Sequence, residues 1–182
     1  MRSNPALAIK LYAWFAVVTA VFAAIETFNR VETAALAQLS WGGALVALGL
    51  GHTVIFLTSG RPRGWWTWWV GTSLTAVVVG ALTLGLVQSA QPGFVVWSIG
   101  VWALVAGAST LVTALCLEKG TERSDWFVVG GATLLLGILT LVVPGELVWT
   151  MGMTGVWASV VAVFLGIGAV NLRQAAREAK DK

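Results

Sequence analysis

Six long apolar runs restrict how this chain can fold more than any other feature of its sequence. A helix needs about 20 mostly apolar residues to cross the hydrocarbon core of a bilayer. Runs of roughly that length occupy residues 10–29, 37–58, 67–88, 94–116, 126–143 and 147–170. Because lipid offers no partner for free backbone N–H and C=O groups, such runs cross it as helices. The sequence therefore predicts an all-α integral membrane protein with six transmembrane helices.

The composition agrees with a membrane protein and excludes several other classes. Of 182 residues, 58% are hydrophobic and 10% are charged, whereas a soluble domain has about 25% charged residues. A net charge of +3 is too small for a basic face that follows a phosphate backbone, so no nucleic acid partner is expected. The single cysteine, Cys116, and single histidine, His52, exclude an internal disulfide and a multi-histidine metal site. We expect neither a metal nor a cofactor.

The distribution of lysine and arginine predicts the orientation. With six spans, one side of the membrane receives both termini, the second loop and the fourth loop. That side holds Arg2, Lys10, Arg61, Arg63, Lys119, Arg123, Arg173, Arg177, Lys180 and Lys182, and the other side holds Arg30. Positively charged loops stay in the cytoplasm. Both termini are therefore predicted to be cytoplasmic, in a multi-pass protein of the bacterial inner (plasma) membrane.

Sequence similarities about 57 residues apart predict an internal repeat. GALTL (Gly80–Leu84) resembles GILTL (Gly137–Leu141), a register that also pairs Trp69 with Trp126, and GVWA occurs at Gly100–Ala103 and again at Gly155–Ala158. We interpret the chain as one membrane domain of three parallel helical hairpins around a pseudo-three-fold axis. The hairpins cover approximately residues 7–60, 64–118 and 122–172, followed by a cytoplasmic helical tail at 173–182.

The stretch RPRGWWTWWVG, at residues 61–71, concentrates four tryptophans behind two arginines: Trp65, Trp66, Trp68 and Trp69 after Arg61 and Arg63. Indole rings settle at headgroup depth, so we interpret the four as interfacial anchors. Trp14 and Trp126 are expected at the same level, and Trp41, Trp97 and Trp149 at the opposite one. The alternative is that the four tryptophans contact a lipid, a pigment or a protein partner.

Glycines are expected to form packing stripes, because small residues let helices approach closely in lipid. The predicted positions are Gly42, Gly43, Gly49 and Gly51 in the second helix, Gly71, Gly80 and Gly85 in the third, and Gly130, Gly131 and Gly137 in the fifth.

Two polar residues within the apolar runs are candidate functional groups. His52 is predicted to lie roughly 10 Å below the cytoplasmic surface, where an ionisable group suggests a functional site, and histidine titrates near neutral pH. The alternative is a neutral imidazole that bonds Thr53 or a backbone carbonyl. Glu26 is predicted near the outer surface, reaching toward Arg30, and is therefore too far from His52 for a direct couple.

Basic residues near the cytoplasmic surface are candidate contacts to lipid headgroups. Arg173 and Arg177 recur at helical spacing in a tail that continues the sixth helix, and Arg61 and Arg63 precede the third. A solvated helix end is the alternative interpretation for the tail.

The pattern of glycine, leucine and proline resembles the HdeD-like family of small bacterial membrane proteins. The fifth run reads GGATLLLGILTLVVPG up to Pro144, the third reads GALTLGLVQSAQPG through Pro92, and the fourth contains WSIGVWALVAGASTLVTAL. The first hairpin departs from this pattern, because ETFNRVE stands where the others turn through Pro-Gly. The resemblance implies a six-helix fold and an association with acid stress, and it supplies no catalytic motif.

No Ser-His-Asp, Cys-His, paired-carboxylate or metal-ligand arrangement can be built from these residues, so we expect no enzyme. The leading hypothesis is a non-catalytic membrane protein of the HdeD type, in stress response or as an accessory or assembly subunit. Its expected partners are membrane lipids and either further copies of itself or a larger membrane complex. One alternative is a small transporter or proton channel in which His52 senses pH. The other is a lipid or pigment binder that uses residues 65–69.

Overall fold

The computed structural model describes residues 5–28, 33–59, 65–89, 91–143 and 146–178. Within them lie six long helices: α1 (Pro5–Phe28), α2 (Ala34–Thr58), α3 (Trp66–Gly85), α4 (Pro92–Cys116), α5 (Thr121–Val142) and α6 (Leu147–Glu178). Each is long and apolar enough to cross a membrane. This confirms the six helices predicted from the sequence. Most ends lie close to the predicted bounds, but α6 continues past residue 170 through most of the tail.

Local signals account for where two of the helices begin. The Thr33 hydroxyl accepts a hydrogen bond from the backbone N–H of Leu36 (3.3 Å) and so caps α2. Pro92 is the first residue of α4, a position where the fixed φ of proline fits the helix and its missing N–H is not needed. The predicted turn at Pro144 lies outside the described residues.

Helix α3 contains a π-helical segment, Trp69–Leu74, between two α-helical parts. A π turn inserts one residue into an α-helix. Each inward-facing position before the segment therefore lies one residue earlier in the sequence than it would in a regular helix. Trp68 is consequently the residue that packs against Trp126, with ring centroids 5.5 Å apart. The 57-residue register makes Trp69 the counterpart of Trp126 in the repeat, but Trp69 is only partly buried and Trp68 takes the inward place.

The six helices form a closed ring in chain order. Each packs against the next, and α6 packs against α1. The most extensive contacts join α2 to α3, α4 to α5, and α6 to α1. The even-numbered helices also contact one another, α2 with α4 and α4 with α6. The even-numbered helices therefore meet inside the ring, and the closest helix pairs run between the sequence hairpins rather than within them.

Glycines on the even-numbered helices allow this close approach. A Cβ added at Gly49 would lie 2.5 Å from the Ser73 carbonyl oxygen of α3, and one at Gly107 would lie 2.5 Å from the Leu134 nitrogen of α5. Gly51 leaves room for the Trp14 ring of α1 in the same way. The packing role predicted from the sequence also fits Gly42, Gly71, Gly80, Gly130 and Gly137, but a Cβ at Gly43, Gly85 or Gly131 would meet no atom within 4 Å. Those three glycines therefore have no packing role within the described part of the chain.

Three tryptophans fill the region where the even-numbered helices meet. Trp102 of α4 lies edge-on to Trp41 of α2 (5.4 Å between centroids) and to Trp157 of α6 (5.8 Å). The Trp102 indole N–H donates to the Thr72 carbonyl oxygen in the π segment (3.4 Å), and that of Trp157 donates to Thr133 of α5 (3.2 Å). Trp41 is buried in this core, so its predicted place in an interfacial belt was wrong.

We expect Gly49→Ala to lower the free energy of unfolding by about 1–3 kcal/mol. The new methyl group meets the backbone of α3, which cannot rotate away as a flexible side chain can. Gly43→Ala on the same helix is the matched control. With open space around it, it should leave that free energy unchanged or raise it by up to about 1 kcal/mol, since alanine favours helix. Unfolding in micelles of increasing SDS content, followed by circular dichroism, measures both. Equal effects would contradict the packing described here.

Candidate functional site

A buried aromatic cluster occupies the end of the bundle at which α3 and α5 begin. We define the aromatic cluster as Tyr12, Phe15, His52, Trp65, Trp68 and Trp126, all of them buried. Trp126 is its centre, because it contacts Tyr12 (5.1 Å), Trp68 (5.5 Å) and Trp65 (5.9 Å) through ring edges. Edge-to-face packing of this kind is favourable beyond the apolar area that it buries. Helices α1, α2, α3 and α5 are thereby joined at one level.

The four tryptophans that precede and open α3 divide between two faces. Trp65 and Trp68 are 1% and 0% exposed, whereas Trp66 is 45% exposed. Trp69 is partly buried, stacks on Phe56 at 5.6 Å and donates its indole N–H to the Thr53 hydroxyl (3.2 Å). The interpretation of all four as interfacial anchors was therefore wrong for Trp65 and Trp68, which are core residues. Trp66 keeps a surface that lipid can reach.

The other tryptophans predicted to be surface anchors also differ in exposure. Trp126 is buried at the centre of the aromatic cluster rather than anchored at the surface. Trp14 is partly exposed and donates its indole N–H to the Ala47 carbonyl oxygen (3.3 Å). At the opposite end of the bundle, Trp97 and Trp149 are exposed, as surface anchors would be.

His52 is completely buried between two rings of the aromatic cluster. Its ring centroid lies 4.9 Å from that of Trp68 and 5.3 Å from that of Phe15. Among the residues that the structure describes, neither imidazole nitrogen has a hydrogen-bond partner. The predicted bond to Thr53 is absent, since the Thr53 hydroxyl donates to the Gly49 carbonyl oxygen instead (2.7 Å). The rings that surround His52 offer it no hydrogen-bond acceptor, unlike the neighbours of a residue in a hydrogen-bonded relay.

Two carboxylates that precede the predicted fifth run lie beside the aromatic cluster. Asp125 accepts a hydrogen bond from the Tyr12 hydroxyl at Oδ2 (3.3 Å), and the same hydroxyl lies 3.4 Å from the Glu122 carbonyl oxygen. The Glu122 side chain is buried beside the Trp126 indole, yet its Oε1 has no partner among the described residues. The sequence contains a signal for this site, because Glu122 and Asp125 are three residues apart, a spacing that places both on one face of a helix, just before Trp126.

Glu26 lies at the other end of the bundle. It accepts a hydrogen bond from the Ser40 hydroxyl of α2 (2.8 Å). Ser40 precedes His52 on the same helix by a distance of roughly 18 Å at 1.5 Å per residue. The structure therefore does not bring Glu26 and His52 together, in agreement with the sequence reading. The expected partner Arg30 lies outside the described residues.

The basic candidates can be located only in part. Arg173 and Arg177 are exposed on the last turns of α6, where headgroups can reach them. Arg61 and Arg63 lie outside the described residues. Among the described residues, no group of three or more histidine, cysteine, aspartate or glutamate side chains could hold a metal ion.

In comparisons with known proteins, no family model, no curated protein and no solved structure matches this chain. The resemblance to the HdeD-like family therefore stays a prediction from sequence pattern.

We expect Trp68→Ala to lower the free energy of unfolding by about 3–5 kcal/mol, because it empties a filled site between His52 and Trp126. Trp66→Ala is the matched control from the same short motif. Removal of this exposed ring should lower the free energy of unfolding by less than about 1 kcal/mol. SDS unfolding and the amount of each variant in membranes measure the effect. Similar losses for the two variants would restore the anchoring interpretation for all four tryptophans.

Proposed function

We propose that this chain is a non-catalytic, multi-pass protein of the bacterial inner membrane that acts as an accessory or assembly subunit of a membrane complex. An acid-stress setting follows from the HdeD-like resemblance and is part of the same proposal. The cytoplasmic orientation of both termini rests on the lysine and arginine distribution.

The filled centre of the bundle is the observation that carries this proposal. Trp41, Trp102 and Trp157 lie in edge-to-face contact there. The pocket beside these rings, which residues of α1 and α2 also line, has a volume of about 10 Å³, at or below what one water molecule needs. A chain of waters or a solute cannot pass along that axis without moving large rings. A protein with a closed centre acts through its outer surface, and this favours an accessory role over transport.

The outer surface of the helices suits contact with other helices. It exposes large apolar side chains along its length, among them Val54, Leu82 and Val163. Gly43, Gly131 and Gly152 lie on helices with nothing within 4 Å of an added Cβ. Small residues on a lipid-facing surface permit a neighbouring helix to approach closely.

Equivalent contacts in two of the close helix pairs support the proposed three-fold repeat. Gly49 of α2 meets Val77 of α3, and Gly107 of α4 meets Leu134 of α5. Val77 and Leu134 occupy the same place in the 57-residue register that relates GALTL to GILTL. A second set of contacts includes the third pair: Gly155 of α6, which GVWA relates to Gly100, lies against Glu26 of α1, and Gly100 lies against Leu141 of α5. These contacts support the proposal that the ring consists of three similar helix pairs, with the third made from the first and last helices.

The first test is native mass spectrometry of the protein released gently from its own membranes. We expect a second protein at a fixed stoichiometry, because an accessory subunit binds its complex through the lipid-facing surface. The same stoichiometry after a repeat extraction in a second detergent controls for chance association. A lone monomer or a pure homo-oligomer would contradict the accessory role.

Reconstituted vesicles test the competing role as a proton channel. With a pH-sensitive dye inside, we expect vesicles that contain the protein to lose an imposed pH gradient no faster than protein-free vesicles. His52→Leu should behave like the parent, because His52 lies in a closed aromatic pocket. Gradient loss that depends on His52 would support the channel and overturn the argument from the filled centre.

A further inference from the structure

A lateral groove opens between α5 and α6, next to the aromatic cluster. Its volume is about 560 Å³, within the range of roughly 300–1,000 Å³ that small-molecule sites occupy. Its lining residues are Thr121, Asp125, Phe164, Ile167, Gly168, Asn171, Leu172 and Ala175. Helices α5 and α6 pack less extensively on each other than α5 packs on α4 or α6 on α1. The groove therefore faces the surrounding lipid at a loose joint of the ring.

Polar and apolar groups separate along the groove. The Thr121 hydroxyl, the Asp125 carboxylate and the Asn171 amide line one part of it. Phe164 lies about 10 Å further along α6 from Asn171, at 1.5 Å per residue, toward the middle of the helix. The polar part therefore lies at the level where α5 begins, and the apolar part lies deeper. A bilayer lipid has the same arrangement, with its headgroup outside and its chains inside.

The charge of the groove is negative. Asp125 is half-buried, and the hydroxyl of Tyr12 is its hydrogen-bond donor. Behind it lies buried Glu122, whose Oε1 has no partner among the described residues. None of the described residues that line the groove is basic. Arg123, the nearest arginine in sequence, lies instead over the Phe127 ring at 5.5 Å. The charge that complements this groove is a cation supplied by a ligand.

Gly168 keeps the carboxylate accessible from the groove. A Cβ added there would lie 3.0 Å from the Tyr12 ring and 3.5 Å from Asp125 Oδ2. A larger side chain at this position would cover the carboxylate. Glycine leaves both the edge of Tyr12 and the oxygen atoms of Asp125 facing the groove.

We propose that this groove binds an aminophospholipid, a lipid whose headgroup carries a primary ammonium, from the adjacent leaflet. The ammonium donates hydrogen bonds to Asp125, and the phosphate accepts them from the Thr121 hydroxyl and the Asn171 amide. The first part of an acyl chain lies along Phe164, Ile167 and Leu172. The proposal requires that α5 and α6 cross a bilayer and is independent of the accessory role.

The experiment is native mass spectrometry of the delipidated protein titrated with phosphatidylethanolamine, phosphatidylcholine or phosphatidylglycerol of identical acyl chains. We expect the ethanolamine lipid to bind most tightly, since its ammonium can donate hydrogen bonds and that of choline cannot. Asp125→Asn should weaken its binding about tenfold through loss of a charge-assisted hydrogen bond, while an amide oxygen still accepts from Tyr12. Glu118→Gln, at an exposed carboxylate outside the groove, should bind as the parent does.

A second pair of variants tests the groove without changing any charge. Ala175→Trp places a ring in the groove and should also weaken binding about tenfold. Val170→Trp places the same ring on an exposed position of α6 outside the groove and should change nothing. Equal binding of ethanolamine and choline lipids, preference for the glycerol lipid, or parent-like binding by both Asp125→Asn and Ala175→Trp would overturn the proposal. Circular dichroism of each variant confirms that it is folded before the titration.

Discussion

Close contact between helix backbones is the interaction on which this bundle depends. In lipid, apolar side chains gain little by leaving their solvent, so helices associate through packing and hydrogen bonds. Gly49 and Gly107 remove the atoms that would hold α2 from α3 and α4 from α5. The contact of α6 with α1 then closes the ring. The positions of the tryptophans, the π segment and the groove all follow from which pairs are close and which are loose.

Indole rings fill the interior between the helices at two levels of the bundle. Trp41, Trp102 and Trp157 meet near the middle, and Trp65, Trp68 and Trp126 meet near one end. Several of these indole N–H groups, with His52, have no partner among the described residues. Rings of this size are costly to displace, because interiors are packed as densely as organic crystals. The closed centre is therefore a property of the packing rather than of a gate.

The sequence predicted the six helices because their length and apolarity depend on the bilayer alone, whatever the tertiary contacts. It could not predict which face of α3 turns inward, since the π segment shifts the register by one residue and arises where α3 meets α4 at Thr72 and Ser109. The rule that places tryptophan at interfaces concerns depth and not direction, so Trp65 and Trp68 were misassigned. Glu122 and Asp125 fell outside the predicted fifth run, because α5 begins five residues earlier than expected.

The doubled tryptophans around Thr67 have a consequence for how α3 can tolerate change. With the π segment, Trp65 and Trp68 point inward. A regular α-helix over the same residues would move each inward position forward by one, to Trp66 and Trp69, which are again indoles. A shift of the helix by one residue therefore still places two indole rings toward the core, although they belong to different tryptophans. Loss of one residue from the π segment would instead restore a regular α-helix and leave Trp65 and Trp68 facing inward, because a π turn is an α-helix with one residue added.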